Sequence, residues 1–149
     1  MSILNHISIH PRLRLMGLSL ILCIPVFCND TTIIIQENET GMVSYNGNID
    51  SDNIGFTGDG FINTDNTSGV GIDWEICVPE TGGYDLHWVF AHGKTGNRTA
   101  KVLVDGSEAV AQVDFQPTGA WSTWDTTLTA KIALDNGPHQ IRLEATNSG

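Results

Sequence analysis

Asp73 and Glu75 stand two residues apart on one strand face in Gly71-Ile72-Asp73-Trp74-Glu75-Ile76. Strand rise would set their side chains roughly 6–7 Å apart, a separation at which glycosidases place paired carboxylates. Both nevertheless occupy the outward phase of an amphipathic run, which reads as a solvated face rather than a catalytic pair. Asp50-Ser51-Asp52-Asn53-Ile54-Gly55 opens like a calcium-binding EF-hand loop. It fails at Ile54, and Phe61 stands where a bidentate Glu is required. There is no Gly-x-Ser-x-Gly elbow, no His-Glu-x-x-His and no phosphate loop. The five His show no ligand spacing, and Cys77 has no neighbour in the sequence that would activate its thiol. Trp121 is different. It lies in the turn-rich stretch Pro117-Thr118-Gly119-Ala120-Trp121-Ser122, with no apolar residue in phase. A large aromatic there is either a flat platform for the C–H face of a sugar ring or a lid folded back on the core.

The elements that must position these residues are strands. Val70, Ile72, Trp74, Ile76 and Val78 alternate with Gly71, Asp73, Glu75 and Cys77, the pattern of a half-buried strand. After the turn Pro79-Glu80-Thr81-Gly82-Gly83, Tyr84, Leu86, Trp88 and Phe90 alternate in the same way. Trp74 and Trp88 share the phase of Ile and Leu and belong in the core. Ala100, Val102 and Val104 lead into Asp105-Gly106, a strong hairpin signal, answered by residues 108–113. Leu128, Ala130, Ile132 and Leu134 form a further alternating run, and Trp124 shares its phase, which places Trp124 inside. Asp135-Asn136-Gly137-Pro138 then turns the chain into His139, Ile141, Leu143 and Ala145. Residues 33–36 are an earlier strand, and the Gly/Asn/Asp-rich segment 46–66 reads as a loop around one end. No helical period is sustained and no internal repeat occurs. Short strands separated by turns predict an all-β sandwich or jelly roll.

The 149 residues suit one domain. Seven Lys+Arg against 17 Asp+Glu give a net charge of −10, which argues against nucleic acid and anionic membranes as partners. Residues 1–14 carry Arg12 and Arg14 and no acid, and residues 15–27 are an apolar run. That run is shorter than the roughly 20 residues of a membrane span. It predicts a signal peptide over residues 1–28, cut after Cys28; the alternative is an uncleaved anchor. The mature domain, 29–149, would keep five cations and all 17 acids, a net charge of −12. It would hold one cysteine, Cys77, and no internal disulfide. Asn29, Asn38, Asn66 and Asn97 head glycosylation sequons.

Several stretches in order then resemble the family 35 carbohydrate-binding modules and their relatives in family 6. They are Gly55-Phe56-Thr57-Gly58-Asp59-Gly60-Phe61-Ile62-Asn63, the run 70–79, Gly82-Gly83-Tyr84 and Phe90-Ala91-His92-Gly93. Asn97-Arg98, Val104-Asp105-Gly106, Thr118-Gly119-Ala120-Trp121-Ser122-Thr123-Trp124 and His139-Gln140-Ile141-Arg142-Leu143 complete the set. The resemblance covers about residues 33–149. It implies a galactose-binding-domain-like jelly roll that binds polysaccharide without catalysis. It also implies targeting of an attached or partner carbohydrate-active enzyme; with the leader removed, the expectation is a secreted monomer free of the membrane. The ligand implied is a polysaccharide of uronic-acid-containing or xylan type.

By the same resemblance Trp121 is the stacking Trp of a Trp-x-x-Trp motif and Trp124 its buried partner. Asn97 and Arg98 match a loop of polar contacts, where an Arg pairs with a uronate carboxylate or forks onto hydroxyls; the plain alternative is a surface Arg. Thr64 stands where an aromatic is frequent. His92 stands where an Asn is, and either replaces its contact or sits in a turn. Glu37 and Glu39 match an opening Glu-x-Glu whose carboxylates hold a structural calcium. The family continues past the position of Gly149 with a Gly-Pro-Asn segment and a last strand bearing an Asp. The expectation is therefore a module lacking its last strand, with one of its strands left unpartnered. Two other readings remain: a structural or adhesion sandwich without a sugar site, in which Trp121 is buried, and a small glycoside hydrolase.

Overall fold

Alternation and turn chemistry together cut the chain into short antiparallel strands. The computed structural model describes residues 3–11 and 32–147. The strands are β1 (Ile3–Pro11), β2 (Ile33–Gln36), β3 (Met42–Tyr45), β4 (Gly47–Asp50), β5 (Phe61–Thr64) and β6 (Gly71–Val78). They continue with β7 (Gly82–Ala91), β8 (Arg98–Val104), β9 (Ser107–Phe115), β10 (Trp124–Thr126), β11 (Ala130–Leu134) and β12 (Gly137–Ala145). One sheet runs β10-β7-β1-β5-β4, with β11 also on β7 and β2 also on β1. The other runs β3-β6-β12-β8-β9. Among the described residues no helix is long and apolar enough to cross a membrane.

The inward phase of both sheets makes one core, as the alternation predicts. Ile72, Trp74, Ile76 and Val78 of β6 face Tyr84, Leu86, Trp88 and Phe90 of β7 across the sandwich, and all are buried. The Trp74 and Trp88 rings lie 6.5 Å apart between centroids. Ile7, Ile9, Ile35, Ile132, Leu134, Ile141 and Leu143 fill the remainder. A smaller cluster at one end joins Phe61 and Ala91 to Phe56, Trp121 and Trp124. Asp105 and Gly106 both take positive φ, 50° and 78°, as a tight two-residue hairpin between twisted strands requires.

Four expectations are corrected. The segment 46–66 is not wholly loop: β4 and β5 lie inside it and pair from Gly47↔Thr64 to Asp50↔Phe61. Four-residue strands with few apolar positions leave no readable period. The run 127–134 is not one strand. Thr127 exchanges its backbone N–H with the carbonyl of Trp88 at 2.9 Å while its Oγ1 accepts from the Trp88 N–H at 3.1 Å. The chain therefore breaks between β10 and β11, and Leu128 is 86% exposed. Trp124 loses its supposed inward phase. It is half-buried, 5.6 Å from Phe61 between ring centroids, with Nε1 donating to the carbonyl of Ile54 at 3.0 Å. Finally, Asp73 is not solvated. It is buried, accepts from Ser44 Oγ at 2.6 Å, and pairs with Arg142 Nη1 at 2.8 Å. Arg142 also meets Glu144, which in turn meets Lys101 at 3.1 Å.

The segment read as a leader is described only over residues 3–11, and there it is β1; residues 12–28, with the expected cut, lie outside the described residues. β1 pairs with β7 from Ile3↔Ala91 to Pro11↔Tyr84, and on its other side with β5 and then β2. Ile7 and Ile9 are fully buried between outward Ser8 and His10, a period-two signal that the neighbouring apolar run 15–27 obscures. β2 is thus partnered by β1, and β12 by β6 and β8; neither is left open.

One contact gives the fold a pH dependence. His139 places Nδ1 2.7 Å from Asp105 Oδ2 and Nε2 2.7 Å from the carbonyl of Asp135. Both partners only accept, so the imidazolium alone satisfies both. The hydrogen bond to Asp105 raises the His139 pKa above its ordinary 6.5 and lowers that of Asp105 below 3.8. The His139 contribution is complete below 6.5 and is lost as pH rises through the raised folded value. The Asp105 contribution is present above 3.8 and is lost as pH falls through the lowered one. Because Asp105 is half exposed, the pair is worth about 0.2–1 kcal/mol, a Tm change of about a few degrees. Thermal melts should therefore show Tm falling from pH 6 toward pH 9 in the native chain. In His139→Gln that slope should flatten; an unchanged slope would exclude this origin.

Candidate functional site

Strand ends from both sheets converge around one cleft. Thr64 closes β5, Arg98 opens β8, Phe115 closes β9, and Asn147 follows β12. Between them lies a cleft with an apolar floor of Ile72, Phe115 and Leu143 and a polar rim of Thr64, Asn66, Arg98 and Asn147. Of the residues singled out from the sequence, Thr64 and Arg98 meet here. The β7–β8 connection delivers Arg98. It leaves one sheet at Ala91, crosses the end of the sandwich, and enters the other sheet at Arg98.

His92 and Asn97 hold that connection rather than line the cleft. His92 is fully buried. Its backbone N–H donates to Thr118 Oγ1 at 2.9 Å, and its Nε2 lies 2.8 Å from the carbonyl of Gly96. A carbonyl only accepts, so Nε2 carries the proton. Nδ1 is then a buried acceptor, with no partner among the described residues. Asn97 Nδ2 donates to Asp114 Oδ1, which also receives Gln112 Nε2 at 2.9 Å. Asn147 locks the same segment, accepting from Thr99 N–H at 3.1 Å and donating to the carbonyl of Asn97 at 3.2 Å. His92, read from the sequence as either replacing an Asn contact or sitting in a turn, is thus a fully buried ring just after β7.

Trp121, between β9 and β10, packs against the first part of the β7–β8 connection. Its ring lies on Gly93, where a Cβ would fall 2.8–2.9 Å from three indole atoms. The His92 ring is 5.9 Å away between centroids. One side of the indole rests on backbone and the residue is half-buried.

Glu37 and Glu39 lie apart from the cleft. Glu37 is buried where β2 gives way to β5 along β1, and accepts from the Gly60 N–H at 2.7 Å. Burial pushes its carboxyl up; backbone N–H groups of Glu37, Gly60 and Asp59 oppose this, and the Asp59 charge reinforces it. Glu39 sits at the following turn and accepts from the Gln36 N–H at 3.0 Å. Among the described residues no three His, Cys, Asp or Glu side chains gather closely enough to hold a metal by themselves. A desolvated carboxylate beside a second acid is nevertheless an anionic environment that a hard cation suits.

Sequence reasoning missed Asn66, Asn147 and Phe115. They stand at strand ends far apart in the chain, and only the topology brings them together. The acid pair Asp73 and Glu75 is on the outer face of the five-stranded sheet, with Asp73 engaged by Arg142.

A family model described as carbohydrate binding module (family 6) matches residues 41–149. A solved structure described as Xyl-CBM35 in complex with a glucuronic acid-containing disaccharide has a TM-score of 0.72 and 36% identity, over 76% of this chain and 81% of that one. The CBM35 from Cellvibrio japonicus Abf62 gives 0.71 and 36%, over 75% and 80%. Endo-1,4-beta-xylanase B of Cellvibrio japonicus is 35% identical over 78% of this chain and 19% of its own length. Exo-beta-D-glucosaminidase of Amycolatopsis orientalis is 37% identical over 68% of this chain and 10% of its own length. The chain thus spans only a tenth to a fifth of these curated relatives.

The Gly93–Trp121 contact can be tested directly. Gly93→Ala drives a methyl group into the indole, and overpacking of this kind costs about 1–3 kcal/mol. The expected result is a lower Tm together with a shift in Trp fluorescence as the ring moves outward. Unchanged emission would mean that Trp121 does not rest there.

Proposed function

The chain belongs to the carbohydrate-binding modules of the family 6 and family 35 group, and from that membership we propose that it binds an acidic polysaccharide at the cleft. The observation that carries this reading is Arg98. The chain holds 17 acids, and Arg142 is engaged by two of them. Arg98 lies on the cleft rim, and no carboxylate pairs with it among the described residues. A guanidinium without an internal counter-ion, at the mouth of a cleft, suits the planar carboxylate of a uronic acid. Thr64, Asn66 and Asn147 would take hydroxyls. The half-buried Trp121 would offer its remaining surface to a neighbouring sugar ring. The solved relative bound to a glucuronic acid-containing disaccharide supports the same ligand chemistry. So does the similarity to part of a xylanase. The role proposed is non-catalytic. An extracellular module of this kind raises the effective concentration of a linked enzyme on its polymer.

Retention in gels containing glucuronoxylan, against the same polymer with its carboxyl groups reduced, tests the reading. Native protein should be retarded by the acidic polymer and far less by the reduced one. Arg98→Ala should weaken retention about tenfold or more, the scale of a lost charge-assisted pair, and added salt should weaken native binding. Equal retention of native and Arg98→Ala protein by the acidic polymer would overturn the assignment.

Calcium is proposed as a structural ion held by Glu37 and Glu39, with backbone carbonyls or water completing its oxygen shell. It would supply positive charge to a carboxylate that burial disfavours. Millimolar calcium should raise Tm relative to chelator in the native chain and leave Glu37→Gln unmoved. A native Tm indifferent to both additions would remove calcium from the account.

A further inference from the structure

β1 is an interior strand, separated in sequence from β2 by residues 12–32. β7 lines one side of it over eight register pairs, while β5 and β2 share the other side. Its neighbour β2 is antiparallel, with Ile9 opposite Ile33. Such neighbours are usually joined by two to five residues; here the connection is residues 12–32. The register is set by the slot itself. Ile7 and Ile9 enter the core with no exposed surface. Ser8 and His10 point outward; His10 packs edge-on against His87 at 5.6 Å and meets Thr32 Oγ1 through Nδ1 at 2.9 Å.

Ile3–Pro11 carries no acid, while all 17 acids lie after residue 14. The register partner of His10 is Asp85. Without β1 the seven-stranded sheet would divide into β7 with β10 and β11, and β5 with β4, and β2 would have no strand partner. Two facing backbone edges above an apolar floor would stand open, a template for strand addition from both sides.

We propose that this slot is a strand-accepting site and that Ile3–Pro11 is its separable occupant, held by pairing and burial rather than by its covalent connection. The ligand it takes is an extended, acid-free segment with apolar residues two apart. The cut after Cys28 expected from the sequence would leave that segment and the domain as two pieces of one folded unit.

The test uses the full chain with a specific protease site placed within residues 12–31, cleaved under native conditions. The N-terminal piece should co-elute with the domain in gel filtration. A labelled synthetic peptide of residues 1–13, added in excess, should replace it. The same peptide carrying Ile7→Asp and Ile9→Asp should fail to bind. Immediate separation of the piece, with the remaining domain keeping the Tm of the uncut chain, would overturn the proposal. So would a piece that stays bound but never exchanges after a mild denaturant pulse, because the strand would then not be separable.

Discussion

Everything in this sandwich depends on β7. Its inward residues Tyr84, Leu86, Trp88 and Phe90 meet the inward face of β6. Its two edges carry β1 on one side and β10 and β11 on the other. A strand with both edges paired and one face buried has no freedom of register, because a one-residue slip would send four large apolar side chains to solvent. The core tolerates a cost to keep this arrangement. The indole N–H groups of Trp74 and Trp88 are buried without a partner among the described residues, at about 1–3 kcal/mol each. Apolar burial of the two rings offsets this, at about 25 cal/mol per Å² removed from water.

The sequence was legible wherever burial imposes a strict period. The runs in β6, β7 and β12 and the Asp105-Gly106 hairpin could be read directly, because each has an apolar face or a turn that only certain residues adopt. Where the period fails, hydrogen bonding has replaced packing. Thr127 uses its hydroxyl as a ladder acceptor, and that one substitution breaks the phase that had placed Leu128 and Trp124 inside. Asp73 looks solvated in a strand pattern because Ser44 and Arg142, which cover it, lie 29 and 69 positions away. The cleft was only half legible for the same reason. A period tells which face a residue occupies, but not which strand ends meet, so Thr64 and Arg98 could be named while Asn66, Asn147 and Phe115 could not. His92 carries no period at all, and its burial follows from a carbonyl four residues onward.

Strand register explains why Arg142 and Lys101 are neutralised within this acidic domain while Arg98 is not. Arg142, Lys101, Asp73 and Glu144 neutralise one another in a ladder across the outer face of the five-stranded sheet. The pairing draws on the strand registers themselves, since Arg142 lies opposite Asp73 and Glu144 opposite Lys101. Arg98 escapes because it opens its strand at the cleft, where its register partner is Phe115. The same topology that buries an aromatic floor thus leaves a guanidinium above it with no carboxylate across the ladder.

The strand slot and the cleft are mechanically connected. Ile3 lies between Asn63 of β5 and Ala91 of β7. The residues that follow those two are Thr64, on the cleft, and His92, which begins the connection to Arg98. β1 therefore fixes the spacing between the strand that carries Thr64 and the strand whose continuation seats Trp121 on Gly93 and delivers Arg98. A sheet without β1 keeps β5 on β4 and β7 on β10 and β11, but loses the backbone bonds that hold these halves at strand spacing. The spacing of a rim assembled from both halves is therefore set by the backbone pairing of β1 with β5 and β7.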